Sequence, residues 1–223
     1  MVRRAVANGF GGVVLADSLF GTVAAFREHP ARDGRPDCVG IDPTPEVAAA
    51  DADLGPVPPQ SGRGRPPTRP SGVRAGATSP PAKGWAIDRA RDFRSVTWRD
   101  GAKGRMAGRF AVWRVRPAPK LSAGQGPLAA RWLVVEWPAD AAQPARYFFS
   151  NLPAQTRSRR LVAAAKSRRW VEHSDRERKG ELGLDHFGGR SWRGWNPHVV
   201  LVLMADAFLQ DVRRRRPKKV AAA

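Results

Sequence analysis

KSRRWVEHSDRERKGELGLDHFGGR, Lys166–Arg190, is the stretch from which the rest of the chain is read. Its first part is the end of a long helix that composition predicts from about Thr156. The segment TRSRRLVAAAKSRRWVEHSDRERKGEL holds no Pro, its one Gly (Gly180) lies near the end, and good helix formers dominate it. Gly183 is the expected stop. Arg168, Glu172 and Lys179 fall on one face, because steps of four and seven residues at about 100° each return to within about 40° of the start. A carboxylate is thus flanked by two cations on one stripe. The ordinary reading of such a stripe is a solvated face with i,i+4 pairs.

Arg-x3-Glu-x6-Lys resembles the R–E–K part of the YREK-type signature of insertion-sequence transposases of the DDE superfamily; Ala165 stands where that family has Tyr. The following ELGLDHFGGRSWRGWNPHVVLVLMADAFL resembles the closing segment of the subgroup that carries GLDHFEGRSW before an apolar helix, with Gly188 at the position of the Glu. A signature and a closing segment together are more specific than either alone.

Composition bounds the partners. The 223 residues make room for one domain with a subdomain, and 42% hydrophobic residues are enough for a core. The net charge of +19 attracts polyanions, and nucleic acid is the default partner. A single cysteine, Cys38, excludes an internal disulfide framework and a Cys-based zinc site, and reads as a small buried hydrophobe. The apolar run VVLVLMADAFL is too short for a membrane span and is broken by Asp206, so no membrane partner is expected. The start MVRRAVANGFGGVVLAD is interrupted by Asn8 and glycines, and is not read as a signal peptide.

In chain order, Val2–Asn8 reads as the tail of a helix and GVVLAD as a short buried strand ending in Asp17. Thr22–His29 reads as a helix and DCVGI (Asp37–Ile41) as a second buried strand. Together they form a βαβ unit, whose strands should be parallel. An acidic residue at the carboxyl end of a buried strand is where α/β folds place ligands. The competing reading of Asp17 is a cap for the helix that follows. Asp42–Lys83, rich in Pro, Gly and Arg, shows neither strand nor helix period and is expected to be an exposed basic connection.

From Phe93 the period becomes strand-like. FRSVTW, RFAVWRVR, RWLVVEW and RYFFS predict a small antiparallel sheet. Alternation places Phe110, Val112 and Arg114 on one face and Ala111, Trp113 and Val115 on the other. Trp98, followed by the basic turn with Lys103 and Arg105, is the candidate for a DNA-facing aromatic, against core packing as the alternative. A last helix is expected over about Pro197–Arg213, with Trp192 and Trp195 in the link before it, and RRRRPKK as a basic tail.

The order β, α, β, inserted sheet, Glu-bearing helix, helix resembles the second half of an RNase H-like domain. The expected fold is therefore α/β. Residues 1–43 would form a partial RNase H-like core, 44–84 the connection, 85–155 an inserted antiparallel β subdomain, 156–212 the Glu-bearing and closing helices, and 213–223 the tail. VVLADSLFGTVAAFRE resembles the family segment around its second catalytic Asp, with Phe20 replacing a Tyr.

The resemblance implies that Asp17 and Glu172 are catalytic and bind Mg2+ or Mn2+. Arg168, Lys179, Trp98, Lys103 and Arg105 are the expected DNA contacts. It implies DNA transposition at transposon ends and a bacterial cytoplasmic, nucleoid-associated setting. The family's first Asp lies upstream of any segment matched here. The chain is therefore expected to be a C-terminal part, inactive alone or completed by an N-terminal transposase fragment; the alternative is a non-catalytic basic DNA-binding remnant. GVVLAD should then form an uncovered sheet edge.

Overall fold

The computed structural model of the protein describes residues 7, 11–21, 23, 26, 33–59, 62, 64, 79–101, 104–118 and 126–215. Two compact units divide the chain, Met1–Ser167 and Arg168–Ala223. The first contains β1 (Val14–Ala16), α1 (Ser18–Gly21), β2 (Asp37–Ile41), β3 (Val47–Ala49), α2 (Ala82–Asp88), β4 (Arg94–Gly101), β5 (Gly104–Pro117), β6 (Arg131–Glu136) and β7 (Arg146–Ser150). Helix α3 (Ser158–Gly180) starts in the first unit and ends in the second, which also holds α4 (Trp192–Arg215).

One mixed, mostly antiparallel sheet runs in the order β1-β2-β7-β6-β5-β3, with β4 also on β5. β1 and β2 are parallel, as a strand–crossover–strand unit requires. The strands from β4 to β7 form as the alternating runs predict, but they do not close on themselves as a separate insertion. β7 pairs antiparallel with β2, Cys38 opposite Ser150 and Ile41 opposite Tyr147, and so extends the βαβ sheet. DCVGI is buried along its whole length because it has neighbours on both edges and cover on both faces.

The two faces build two cores. Val39, Ile41, Ala111, Val115, Leu133 and Phe149 pack with Trp85 and Ala86 of α2 on one side. Cys38, Phe110, Val134 and Phe148 pack with Leu161, Val162 and Ala165 of α3 on the other. The split of β5 is the one its alternation dictates: Phe110 and Val112 go to one face, Ala111, Trp113 and Val115 to the other.

The stretch expected to lack regular structure contains β3, paired with the far end of β5, and the buried Leu54 and Val57. EVAAA is too short to show a period, and its strand form comes from the partner that β5 offers. The SGRGRPPTRP run falls almost wholly outside the described residues, as do the helices expected at Val2–Asn8 and Thr22–His29, apart from Ala7, Val23 and Phe26.

Helix α3 gives way to a turn in which Gly183 has a left-handed φ of 70° and the Leu184 N–H donates to the Arg178 carbonyl at 2.9 Å. α4 starts five residues earlier than Pro197, so Trp192 and Trp195 belong to the helix rather than to the link. Ser191 caps it, its Oγ accepting the Gly194 N–H at 3.1 Å. Pro197 costs only the bond to one carbonyl near the helix start. The end of the basic tail, 216–223, lies outside the described residues. Among the described residues no helix is long and apolar enough to cross a membrane.

Candidate active site

Asp17 follows β1 directly. Val13 and Leu15 pack on the sheet face that α3 covers. Strand period then directs position 17 to that same face at the carboxyl end of the strand. The side chain is half-buried. Its Oδ1 accepts the Phe20 N–H at 3.3 Å, and its carbonyl accepts the Gly21 N–H at 2.8 Å, so Asp17 caps α1.

Two glycines fix this corner. A Cβ on Gly21 would stand 1.7 Å from the Gly40 carbonyl oxygen, and one on Gly40 would stand 3.1 Å from the Ser18 nitrogen. Backbone thus lies directly on backbone, and Asp17 is pinned over the end of β2. Among the described residues β1 ends the sheet order, and Leu19 and Phe20 of α1, beside Asp17, are exposed.

Glu172 lies on α3 in the second unit. Its Oε1 meets the Arg168 Nη2 at 3.3 Å, with the two side chains 61% and 44% exposed. Leu161, Ala165, Arg168, Glu172 and Lys179 share one azimuth at about 100° per residue. The first two are buried in the core, while Glu172 and Lys179 are exposed. One helical stripe therefore changes from apolar to charged along its length. The side of α3 away from this stripe is tied to α4. Arg178 Nε meets the buried Asp206 at 2.8 Å, and Arg213 meets Glu177 at 3.2 Å. The hydrogen bond to Asp206 raises the Arg178 pKa above its ordinary value, against the opposing effect of burial.

The expected DNA contacts divide. Arg105 is exposed at the β4–β5 tip, 3.9 Å from Asp100. Lys103 lies outside the described residues. Trp98 is a half-buried core side chain rather than an open stacking surface. Its ring meets Phe110 edge-on at 5.6 Å, and Lys166 Nζ stands 5.2 Å from its centroid. Lys166 is itself bound to Glu136 at 2.7 Å. Strand β4 lies beneath α3, which the local sequence around Trp98 does not announce.

Sequence reading also missed a buried polar network. Arg131 Nη1 donates to both Asp37 oxygens at 3.1 and 2.9 Å, the Asn151 N–H donates to Asp37 Oδ1 at 3.0 Å, and the Ser150 hydroxyl donates to the Asp37 carbonyl at 2.6 Å. These bonds tie β2, β7 and β6 together. The available signal was a charged residue at the head of each of two buried runs. Burial, and then the Asp37 charge, push the Cys38 thiol up to about 12, in keeping with an inert core cysteine.

Asp17 and Glu172 belong to different units. Among the described residues no group of three or more His, Cys, Asp or Glu is placed to hold a metal ion. No curated protein matches the chain. Residues 1–105, which carry Asp17, Trp98 and Arg105 but not Arg168, Glu172 or Lys179, match the family model of the DDE superfamily endonuclease.

Proposed function

We propose that this chain is a DNA-binding part of a DDE-type transposase, with an RNase H-like βαβ corner. In this reading Asp17 and Glu172 are two carboxylates of a cleavage site that another polypeptide, such as an N-terminal transposase fragment, completes. The family match carries the reading, because it covers the strand that leads into Asp17. The charge of +19 and exposed cations such as Arg105 support DNA phosphate as the ligand. Arg168 and Lys179 would hold phosphates beside Glu172, and transposon ends would be the substrate.

Enzymes of this superfamily use divalent metal ions, here expected to be Mg2+ or Mn2+. Two carboxylates without a third acidic or imidazole partner do not make a sufficient donor set among the described residues. No metal-dependent step is assigned to the chain alone.

The test uses Cys38→Ser with Asp17→Cys and Glu172→Cys, bridged by thiol cross-linkers of increasing length. Capture by linkers of about 8 Å or less, the span of a metal-bridged pair, is the expected result. Capture only by much longer linkers overturns the shared site. In parallel, Mg2+-dependent strand cleavage is expected only when the N-terminal fragment is added; DNA binding with no cleavage in either case favours the non-catalytic alternative.

A further inference from the structure

Most tryptophan rings of this protein have a partner. Trp98 meets Phe110, Trp113 and Trp137 meet Phe93, Trp170 meets His173 and Trp195 meets Phe187. Arg89 covers Trp85, and Arg114 lies near Trp132. Trp192 differs. It is 74% exposed, and among the described residues its indole has neither a ring partner nor a hydrogen bond. Arg190 and Arg193 beside it are exposed as well.

Its position is nevertheless built. Ser191 caps the helix at this point, and the Asn196 side chain donates to the Trp192 carbonyl at 3.0 Å. Three residues on, Trp195 turns inward onto Phe187 and His198 at 5.5 and 5.9 Å. Gly189 and Gly194 make room for that cluster, since a Cβ there would stand 2.4 and 3.0 Å from the Phe187 ring. The local fold uses one tryptophan for packing and leaves the other in water, with the exposed Arg190 and Arg193 close to it in sequence. An indole face suits an unstacked base, and guanidinium groups suit the phosphates on either side of it.

We propose that Arg190, Trp192 and Arg193 form a binding site for single-stranded nucleic acid, with Trp192 stacking on an unpaired base and the arginines holding the flanking phosphates. This rests on the DNA-binding reading but concerns a different set of residues. Duplex DNA keeps its bases stacked on one another, so Trp192 should matter for single strands and much less for duplexes.

The experiment uses the full chain with a single-stranded oligonucleotide, the same sequence as a duplex, and a single strand carrying 2-aminopurine. Trp192→Ala is expected to weaken single-strand binding about tenfold or more, to change duplex binding less than about twofold, and to abolish the quenching of 2-aminopurine by stacking. Trp192→Phe should keep most of the quenching. Arg190→Ala with Arg193→Ala should lower the salt dependence of single-strand binding. Equal losses on both forms, or no loss on either, overturn the site while leaving DNA binding intact. A chain that binds neither form at low salt overturns both the site and the DNA-binding reading. Unfolding midpoints of the variants should stay close to that of the parent, because the indole is largely exposed.

Discussion

The sheet unit and the helical unit are held together by different forces. In Met1–Ser167, apolar side chains fill both faces of a seven-stranded sheet. Among the described residues of Arg168–Ala223, the buried side chains are Val202 and Asp206, and ion pairs such as Arg178–Asp206 and Arg213–Glu177 tie α3 to α4. Apolar burial scales with area and is insensitive to salt, whereas partly exposed ion pairs are individually weak and screened. The charged stripe proposed for DNA therefore sits on the unit with the smaller apolar reserve. A site that must meet a polyanion tolerates such a scaffold, because phosphate binding itself adds order.

The largest effects should come from the sheet. Phe149→Ala or Leu133→Ala, both fully buried, should cost about 3–5 kcal/mol in denaturant unfolding. Arg131→Met strands the buried Asp37 carboxylate and should cost about as much. Adding Asp37→Leu to it should recover part of the loss. An Arg131→Met protein as stable as the parent would break the comparison, since it would place an uncompensated charge in a core at no cost.

Gly21→Ala comes next, at about 1–3 kcal/mol, because α1 must move off β2 to admit a methyl group. The same substitution shifts Asp17, so a spectroscopic label at position 17 should report a changed environment.

Asp206→Leu in the helical unit should cost only about 1 kcal/mol. Hydrogen exchange should show the loss confined to α3 after Ser167 and to α4, and smaller at high salt. The raised Arg178 pKa makes its contribution present below the unfolded value and lost only as pH climbs through the still higher folded value, so alkali short of that range should leave it intact. Loss of protection across the sheet would show that the two units are one cooperative block.

Arg168→Ala and Glu172→Gln should each change stability by less than about 1 kcal/mol, as expected of an exposed pair; Arg168→Ala should weaken DNA binding, whereas Glu172→Gln, which removes a negative charge beside the phosphates, should not. The smallest equilibrium effect concerns Cys38. At pH 8 the folded protein should resist thiol alkylation, and labelling should appear only with denaturant. Rapid labelling of the native protein would mean that the core face under α3 opens readily.

Much of this architecture could be read from local chemistry. Alternation in RFAVWRVR assigned each side chain of β5 to its face, because strand period is a backbone property that any partner must respect. Helix formers without Pro placed α3, Gly183 marked the turn after it, and GVVLAD placed Asp17 after a strand. Period reports which side a residue faces but not what stands there. That β7 would join β2, that EVAAA would become a strand on β5, that Trp98 would be covered by α3 while Trp192 stayed in water, and that Asp37 would find Arg131 across two strands were decided only in three dimensions. The reason is the same in each case. These outcomes depend on contacts between residues tens of positions apart, whose energies exist only once the sheet order has been chosen.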